Sequence, residues 1–90
     1  MIYITAIHLS GGTKHEHIET VRWENSSTRK TGESSKQGIV SWLEESEENT
    51  AGVRSGTSYV RVGVVKASPP YIRTYANGVW TDNLLALPRF

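Results

Sequence analysis

Arginine and tyrosine side chains alternate with other residues in two segments of the C-terminal half of this 90-residue sequence. They are Tyr59 and Arg61 in the first segment, and Tyr71, Arg73 and Tyr75 in the second. Successive side chains of a β-strand point to opposite faces, so each set shares one face if both segments are strands. Guanidinium groups bind phosphate through paired donors, and aromatic rings stack on nucleobases. The pattern predicts a surface for a nucleotide-like anion or for a partner protein.

An ordinary structural role for these side chains stays open. Tyrosine is frequent in strands, and the long bodies of Tyr and Arg cover half-exposed sheet surface without any ligand. Trp23 and Trp80 lie at predicted strand ends, where stacking on a ligand and packing at the rim of the core both fit the sequence. We include both in the candidate ligand-binding set. Trp42 recurs with Ile39 and Leu43 at helical spacing and is predicted to lie in the core.

Two other motifs could bind ions. His15 and His17 flank Glu16 and could ligate a metal together with His8, but no Cys or Asp lies nearby, so we predict exposed turn histidines and no metal site. The segment 11–14, Gly-Gly-Thr-Lys, offers backbone N–H groups and one cation to an anion. It lacks the full spacing of a phosphate-binding loop, and a hairpin turn explains it better.

Residues for hydrolytic chemistry do not come together in the sequence. Such chemistry needs a nucleophile beside a base, or two carboxylates in a cleft. Asp82 is the only aspartate and lies in a C-terminal turn, and Glu44, Glu45, Glu47 and Glu48 form a charged run typical of a solvated helix face. We therefore expect a protein that is not an enzyme and that has no cofactor.

The N-terminal half supplies two predicted strands and a helix. Ile2 to Leu9 and His17 to Trp23 are β-prone and are separated by a short turn, which predicts an antiparallel pair. Residues 24–38 contain no apolar side chain, and this stretch is predicted to begin as an exposed loop. Ser34 and Gln37 have the spacing of a capping box, which predicts a helix from about Ser35 to Glu48.

The C-terminal half supplies the remaining strands. Ser58 to Lys66 and Tyr71 to Tyr75 are predicted strands, and Asn77-Gly78 is a turn before a short strand at Val79 to Thr81. The helix must cover the face that carries Val60, Val62, Val64 and Ile72. The tail from Asp82 to Phe90 is predicted to pack Leu84, Leu85 and Leu87 on the body, with Asp82 or Asn83 capping its turn. The predicted fold is α+β: a single domain, residues 1–90, with an antiparallel sheet of four or five strands and one amphipathic helix on one face.

Composition bears on assembly and location. Only 37% of the residues are hydrophobic and there is no cysteine, so a small core without disulfides gains most from association with another copy. We therefore expect a homo-oligomer. No apolar run is as long as a membrane span, and Met1 to Ile4 lacks the charged start of a signal peptide, which predicts a cytoplasmic protein without a membrane partner.

Several short segments recur in one known group of proteins. They are Tyr71-Ile72-Arg73-Thr74, Asn77-Gly78, the ending from Thr81 to Pro88, and, less closely, His17-Ile18, Trp23 and Ser35 to Leu43. With these segments the chain resembles a family of small bacterial and phage proteins catalogued as domain of unknown function 3892. The resemblance implies a small stand-alone accessory protein of bacterial or phage origin.

The expected function is capture of a small anionic, nucleotide-like ligand by a homo-oligomer. By analogy alone, phage proteins of this size that sequester nucleotide signals of bacterial defence work in this way. One alternative is binding of single-stranded nucleic acid, for which a formal net charge of only +1 is a handicap. The other is a protein-interaction module whose exposed face or strand edge docks a host protein.

Overall fold

A computed structural model describes all residues, 1–90, as one sheet with a helix on one side. The sheet contains seven strands: β1 (Ile2–Leu9), β2 (Ile18–Asn25), β3 (Thr31–Ser35), β4 (Ala51–Ser55), β5 (Ser58–Val65), β6 (Tyr71–Ala76) and β7 (Val79–Thr81). The helix α1 spans Lys36–Glu45, and a 3₁₀ turn spans His15–His17. Across the sheet the order is β3-β2-β1-β4-β5-β6-β7. Only the β1–β4 pair is parallel.

The predicted α+β class with a mostly antiparallel sheet is confirmed, but the predicted number of strands is wrong. Two of the seven strands, β3 and β4, were not predicted. The strand β3 lies inside the polar stretch 24–38, and its five residues pair with Thr20 to Glu24 of β2. Backbone hydrogen bonds do not depend on apolar side chains, so a polar edge strand leaves no hydrophobic pattern in the sequence. The strand β4 is only five residues long, too short for its alternation to stand out.

The helix begins at Lys36, one residue after its predicted start at Ser35, and ends at Glu45, three residues before its predicted end at Glu48. The hydroxyl of Ser35 accepts a 3.0 Å hydrogen bond from the backbone N–H of Gly38, which makes Ser35 the N-cap. Ser34 instead accepts a 3.0 Å hydrogen bond from the indole N–H of Trp23. At the other end the side-chain amide of Asn49 donates to the carbonyl of Trp42, at 2.8 Å, and so satisfies one of the last helical carbonyls.

The core lies between α1 and one face of the sheet. Its buried members include Ile39 and Val40 of the helix and a set of strand residues: Ile2, Ile4, Ile7, Ile18, Val21, Val53, Val62 and Ile72. Val62 and Ile72 confirm the predicted core face, on which Val60 and Val64 are partly buried. None of the helices has the length and apolar character that crossing a membrane requires.

The C-terminal tail packs on the body, as predicted. Leu84 is fully buried, and Leu85 and Leu87 pack against the core from partly buried positions. The backbone N–H of Ile7 donates to the carbonyl of Pro88 at 2.9 Å, so the tail pairs with β1 beyond the end of β4. The predicted cap is wrong, because the Asp82 carboxylate accepts from Arg73 and the Asn83 side chain accepts from Thr81.

Candidate functional site

We call the surface of strands β1 and β4 to β7 that is turned away from α1 the outer face. On it Arg61 of β5 pairs across the ladders with Gly52 of β4 and with Tyr75 of β6, and Tyr75 pairs with Trp80 of β7. Alternation along β5 and β6 sends the neighbouring valine and isoleucine side chains into the core. The row Gly52, Arg61, Tyr75 and Trp80 is therefore turned away from the helix.

One aromatic pair lies on the β6–β7 side of Arg61. The ring centroids of Tyr75 and Trp80 are 5.1 Å apart, with the ring planes at 68°. The Trp80 ring extends over Gly63 of β5, where a Cβ atom would lie 3.3 Å from the ring carbons. A glycine at this position gives the indole room to lie against the strand. Tyr75 remains 43% exposed and Trp80 38% exposed, so this pair presents aromatic surface to solvent.

A second aromatic pair lies on the β1–β4 side of Arg61. The ring centroids of Tyr3 and Tyr59 are 6.1 Å apart in an edge-to-face arrangement, with the planes at 73°. The Tyr59 ring lies over Gly52, where a Cβ atom would come within 3.0 Å of it. Tyr59 is 46% exposed. The two aromatic pairs therefore flank Arg61, and one ring of each pair lies over a glycine: Trp80 over Gly63 of β5, and Tyr59 over Gly52 of β4.

The guanidinium groups of Arg61 and Arg54 carry the positive charge of the outer face. Neither has a carboxylate within 4.0 Å, whereas Arg22, Arg29 and Arg73 each pair with an acidic side chain. The Arg54 guanidinium lies 4.5 Å from the centroid of the Tyr3 ring, in a cation–π contact. Arg61 also lines an open groove of about 480 Å³ with Tyr75 and Trp80. The face thus combines two uncompensated cations with exposed aromatic rings.

The structure brings four predicted site residues together: Tyr59, Arg61, Tyr75 and Trp80. Arg73 shares their strand face but is already satisfied within the protein, because it donates to the Asp82 carboxylate at 2.8 Å and to the Thr81 carbonyl at 3.1 Å. Tyr71 lies at the start of β6, paired with Val65, and is four residues from Tyr75 along the strand. That separation is about 13 Å, so Tyr71 lies at the margin of the face.

Trp23 does not join the other predicted site residues. It pairs with the buried Ile4 on β1, and its side chain lies on the helix side of the sheet, over Gly32 of β3. There it lines a cavity of about 380 Å³ together with Trp42 and Ile39. Trp42 is partly buried and packs against the core, as predicted. Trp23 is two residues from the buried Val21, so strand alternation is the signal that assigns it to the helix side.

Sequence reasoning missed two residues of the outer face, Tyr3 and Arg54. Tyr3 lies between Ile2 and Ile4, so alternation within the first strand already indicates that it points away from the core. Arg54 belongs to β4, the short strand that was not predicted, and it pairs with Tyr59. No local pattern in the sequence indicates that pairing.

His15 is buried, so its prediction as an exposed turn histidine is wrong. It is 8% exposed, and its Nε2 atom has no hydrogen-bond partner and lies 3.8 Å from the Asp82 carboxylate. Burial lowers the pKa of His15 below its ordinary value of 6.5, the positive charge of Arg73 lowers it further, and Asp82 acts in the opposite direction. His15 thus lies buried beside Asp82 and close enough to Arg73 to feel its charge, in the turn between β1 and β2.

Comparison with known proteins gives one result. No curated protein and no solved structure matches the chain significantly. The family model described as Protein of unknown function (DUF3892) matches residues 3–88, which confirms the resemblance drawn from the sequence. Because the match covers nearly the whole chain, the protein belongs to the DUF3892 family.

Proposed function

We propose that the protein is a non-enzymatic accessory protein of bacterial or phage origin that captures a small anionic ligand of the nucleotide kind on its outer face. The observation that carries this proposal is Arg61, a guanidinium without a carboxylate partner beside the exposed rings of Tyr75 and Trp80. A phosphate on Arg61 and a base on Tyr75 or Trp80 would use both kinds of group at once. Sequestration of a nucleotide signal is the role that such capture would serve.

The energetics of these contacts support binding at useful affinity. Stacking of a base on an aromatic side chain contributes about 1–3 kcal/mol, and a charge-assisted hydrogen bond contributes roughly 1.5–3 kcal/mol. The groove beside Arg61 is open, so a ligand can reach it without movement of the backbone. Guanidinium and aromatic groups can bind a ligand, but they do not readily transfer protons near neutral pH. This favours capture of a ligand over catalysis.

We also propose that the protein is a cytoplasmic homo-oligomer. Only 15 of 90 residues are buried in the single chain, and Val79 on the edge strand β7 is 61% exposed beside Trp80. A second copy packed against this edge would bury apolar area that the small core does not. The absence of cysteine is compatible with a reducing compartment.

Titration calorimetry with a panel of mono-, di- and cyclic nucleotides tests the proposed function. Wild type should bind at least one member, and Arg61→Ala should weaken that binding about tenfold or more. The matched control is Arg29→Ala, which removes an exposed guanidinium from the β2–β3 turn at the other edge of the sheet. An unchanged affinity in Arg61→Ala, or an equal loss of affinity in the control variant Arg29→Ala, would contradict the proposal.

Single-stranded nucleic acid is the second candidate ligand. The observation that favours it is the openness of the outer face together with its second aromatic pair, Tyr3 and Tyr59. Binding to a polymer that engages phosphates beyond Arg54 and Arg61 should weaken strongly between low and moderate salt, whereas binding through these two cations alone should weaken less. If neither nucleotides nor oligonucleotides bind, the exposed rings instead support a protein-interaction surface.

A further inference from the structure

We infer that the outer face holds two nucleobases at once, joined through a phosphate that lies on Arg61. This inference rests on the proposed function and names its ligand class: a dinucleotide unit rather than a mononucleotide. It adds Tyr59, Tyr3 and Arg54 to the groups that contact the ligand.

The first step is the separation of the two aromatic pairs. The Trp80 ring lies over Gly63, and the Tyr59 ring lies over Gly52. Gly52 is directly opposite Arg61 on the adjacent strand, and Gly63 is two residues along β5 from Arg61. Such diagonal neighbours in an antiparallel pair are about 7–8 Å apart. A base that stacks on one ring leaves the other ring available, so two bases of neighbouring nucleotides, unstacked from each other, can occupy the two rings.

The second step is the position of the cations. Arg61 lies between the two rings in the register of the sheet, where a phosphate joining two such bases would pass. Arg54 is paired across the β4–β5 ladder with Tyr59, on the far side of that ring from Arg61. A second phosphate, at the end of a linear dinucleotide or in the ring of a cyclic one, can meet the Arg54 guanidinium. The alternation of two cations with two aromatic surfaces matches the alternation of phosphates and bases.

The third step concerns whether carboxylates of the protein compete with a ligand phosphate for Arg54 and Arg61. Three acidic side chains are engaged elsewhere: Glu33 pairs with Arg22, Glu24 with Arg29, and Asp82 with Arg73. Glu47 lines a groove with Arg61 but forms no ion pair with its guanidinium. Neither Arg54 nor Arg61 therefore has to release a carboxylate before it binds phosphate. The Arg54 guanidinium already contacts the Tyr3 ring, and a cation–π contact leaves the edge of the guanidinium free to donate.

The experiment compares affinities of matched probes. Adenosine monophosphate is the one-base probe, and the two-base probes are the 5′-phosphorylated linear adenine dinucleotide and the cyclic adenine dinucleotide. We expect wild type to bind at least one two-base probe about tenfold or more tightly than the monophosphate. A short single-stranded oligonucleotide forms the third arm. Tightest binding of the cyclic probe would identify a free signal as the source of this chemistry, and tightest binding of the oligonucleotide would identify a polymer.

Variants assign each base to its ring. Tyr59→Ala should weaken dinucleotide binding about five- to a hundredfold and leave monophosphate binding nearly unchanged, whereas Trp80→Ala should weaken both. Tyr71→Ala, a tyrosine on the same strand face but at its margin, is the matched control and should change neither. Thermal melting shows whether each variant is folded. Arg54→Ala changes an exposed side chain, and it repeats the comparison of one-base and two-base probes while both aromatic pairs stay intact.

The outcomes separate the two proposals. If wild type binds the monophosphate as tightly as both dinucleotides, or if Tyr59→Ala weakens all probes equally, the two-base inference is wrong and the proposed function stands. If no probe binds wild type, both are wrong.

Discussion

Arg73 donates a 2.8 Å hydrogen bond to the carboxylate of Asp82, the only aspartate of the chain. This pairing separates two arginines that the sequence alone could not distinguish. Arg73 joins β6 to the segment after β7 and is a structural cation, whereas Arg61 has no carboxylate within 4.0 Å and is available to a ligand. The single aspartate thus decides which of the two guanidinium groups is left without an acidic partner.

The two arginines should therefore respond in opposite ways to truncation. Arg73→Ala should lower the free energy of unfolding by about 1 kcal/mol, at the low end for a charged hydrogen bond because Asp82 is mostly exposed, and should leave ligand affinity nearly unchanged. Arg61→Ala should weaken ligand binding without a comparable loss of stability. Urea unfolding and calorimetry on both variants measure the two effects. A loss of affinity in Arg73→Ala as large as that in Arg61→Ala would show that the Asp82 pair opens for the ligand.

Burial of His15 predicts a loss of stability in mild acid. Its pKa is lowered in the folded protein by burial and by Arg73, so the unfolded chain binds more protons once the pH falls below the ordinary value of 6.5. The free energy of unfolding should therefore be constant above that value and decrease as the pH falls through it toward the lower folded-state pKa. Melting temperatures at about pH 7.5 and about pH 5.5 measure the effect.

The control for this pH dependence is a second histidine in the same 3₁₀ turn. His17→Gln should retain the loss of stability, because His17 is only partly buried. His15→Gln should remove most of it. An unchanged pH dependence in His15→Gln would assign the effect to another group.

The strands β5, β6 and β7 of the outer face were predictable, but β4 and the arrangement of the sheet were not. Alternation within β5 and β6 is a local property, so the shared face of Tyr59, Arg61 and Tyr75 follows from the sequence. The register that sets Arg61 opposite Gly52 depends on β4, which is held between β1 and β5. Its neighbours are distant in the chain, and no local pattern encodes them. For the same reason the burial of His15 against Arg73 and Asp82 could not be read from residues 11–17.

Leu84 should be the residue of the tail that matters most for stability. It is fully buried, whereas Leu85 on the same turn is only partly buried. Leu84→Ala should cost about 2–5 kcal/mol, because it leaves a cavity in a small core. Leu85→Ala is the matched control and should cost less. Urea unfolding curves compare the two, and equal losses would mean that the tail is held by its backbone pairing with β1 rather than by Leu84.

The proposed homo-oligomer has a direct solution test. Light scattering at high micromolar concentration should give a mass at least twice that of the chain. Val79→Lys places a charge on the exposed edge of β7 and should shift the population toward the monomer if this edge is the interface. A wild-type monomer at that concentration would contradict the oligomer, and an oligomer unaffected by Val79→Lys would place the interface elsewhere.

The two free guanidinium groups also predict how salt should affect binding of a short single-stranded oligonucleotide. Each phosphate neutralised on a single strand changes the logarithm of the binding constant by about −0.7 per logarithmic unit of salt concentration. With Arg54 and Arg61 as the contacts, the wild-type slope should be about −1.4, and either single Ala variant should reduce it to about −0.7. Arg73→Ala should leave the slope unchanged, because that guanidinium is already neutralised by Asp82. Fluorescence anisotropy across a salt series measures these slopes. A wild-type slope of about −3 or steeper would require several further cations, and the phosphates would then follow a path other than the line between the two aromatic pairs.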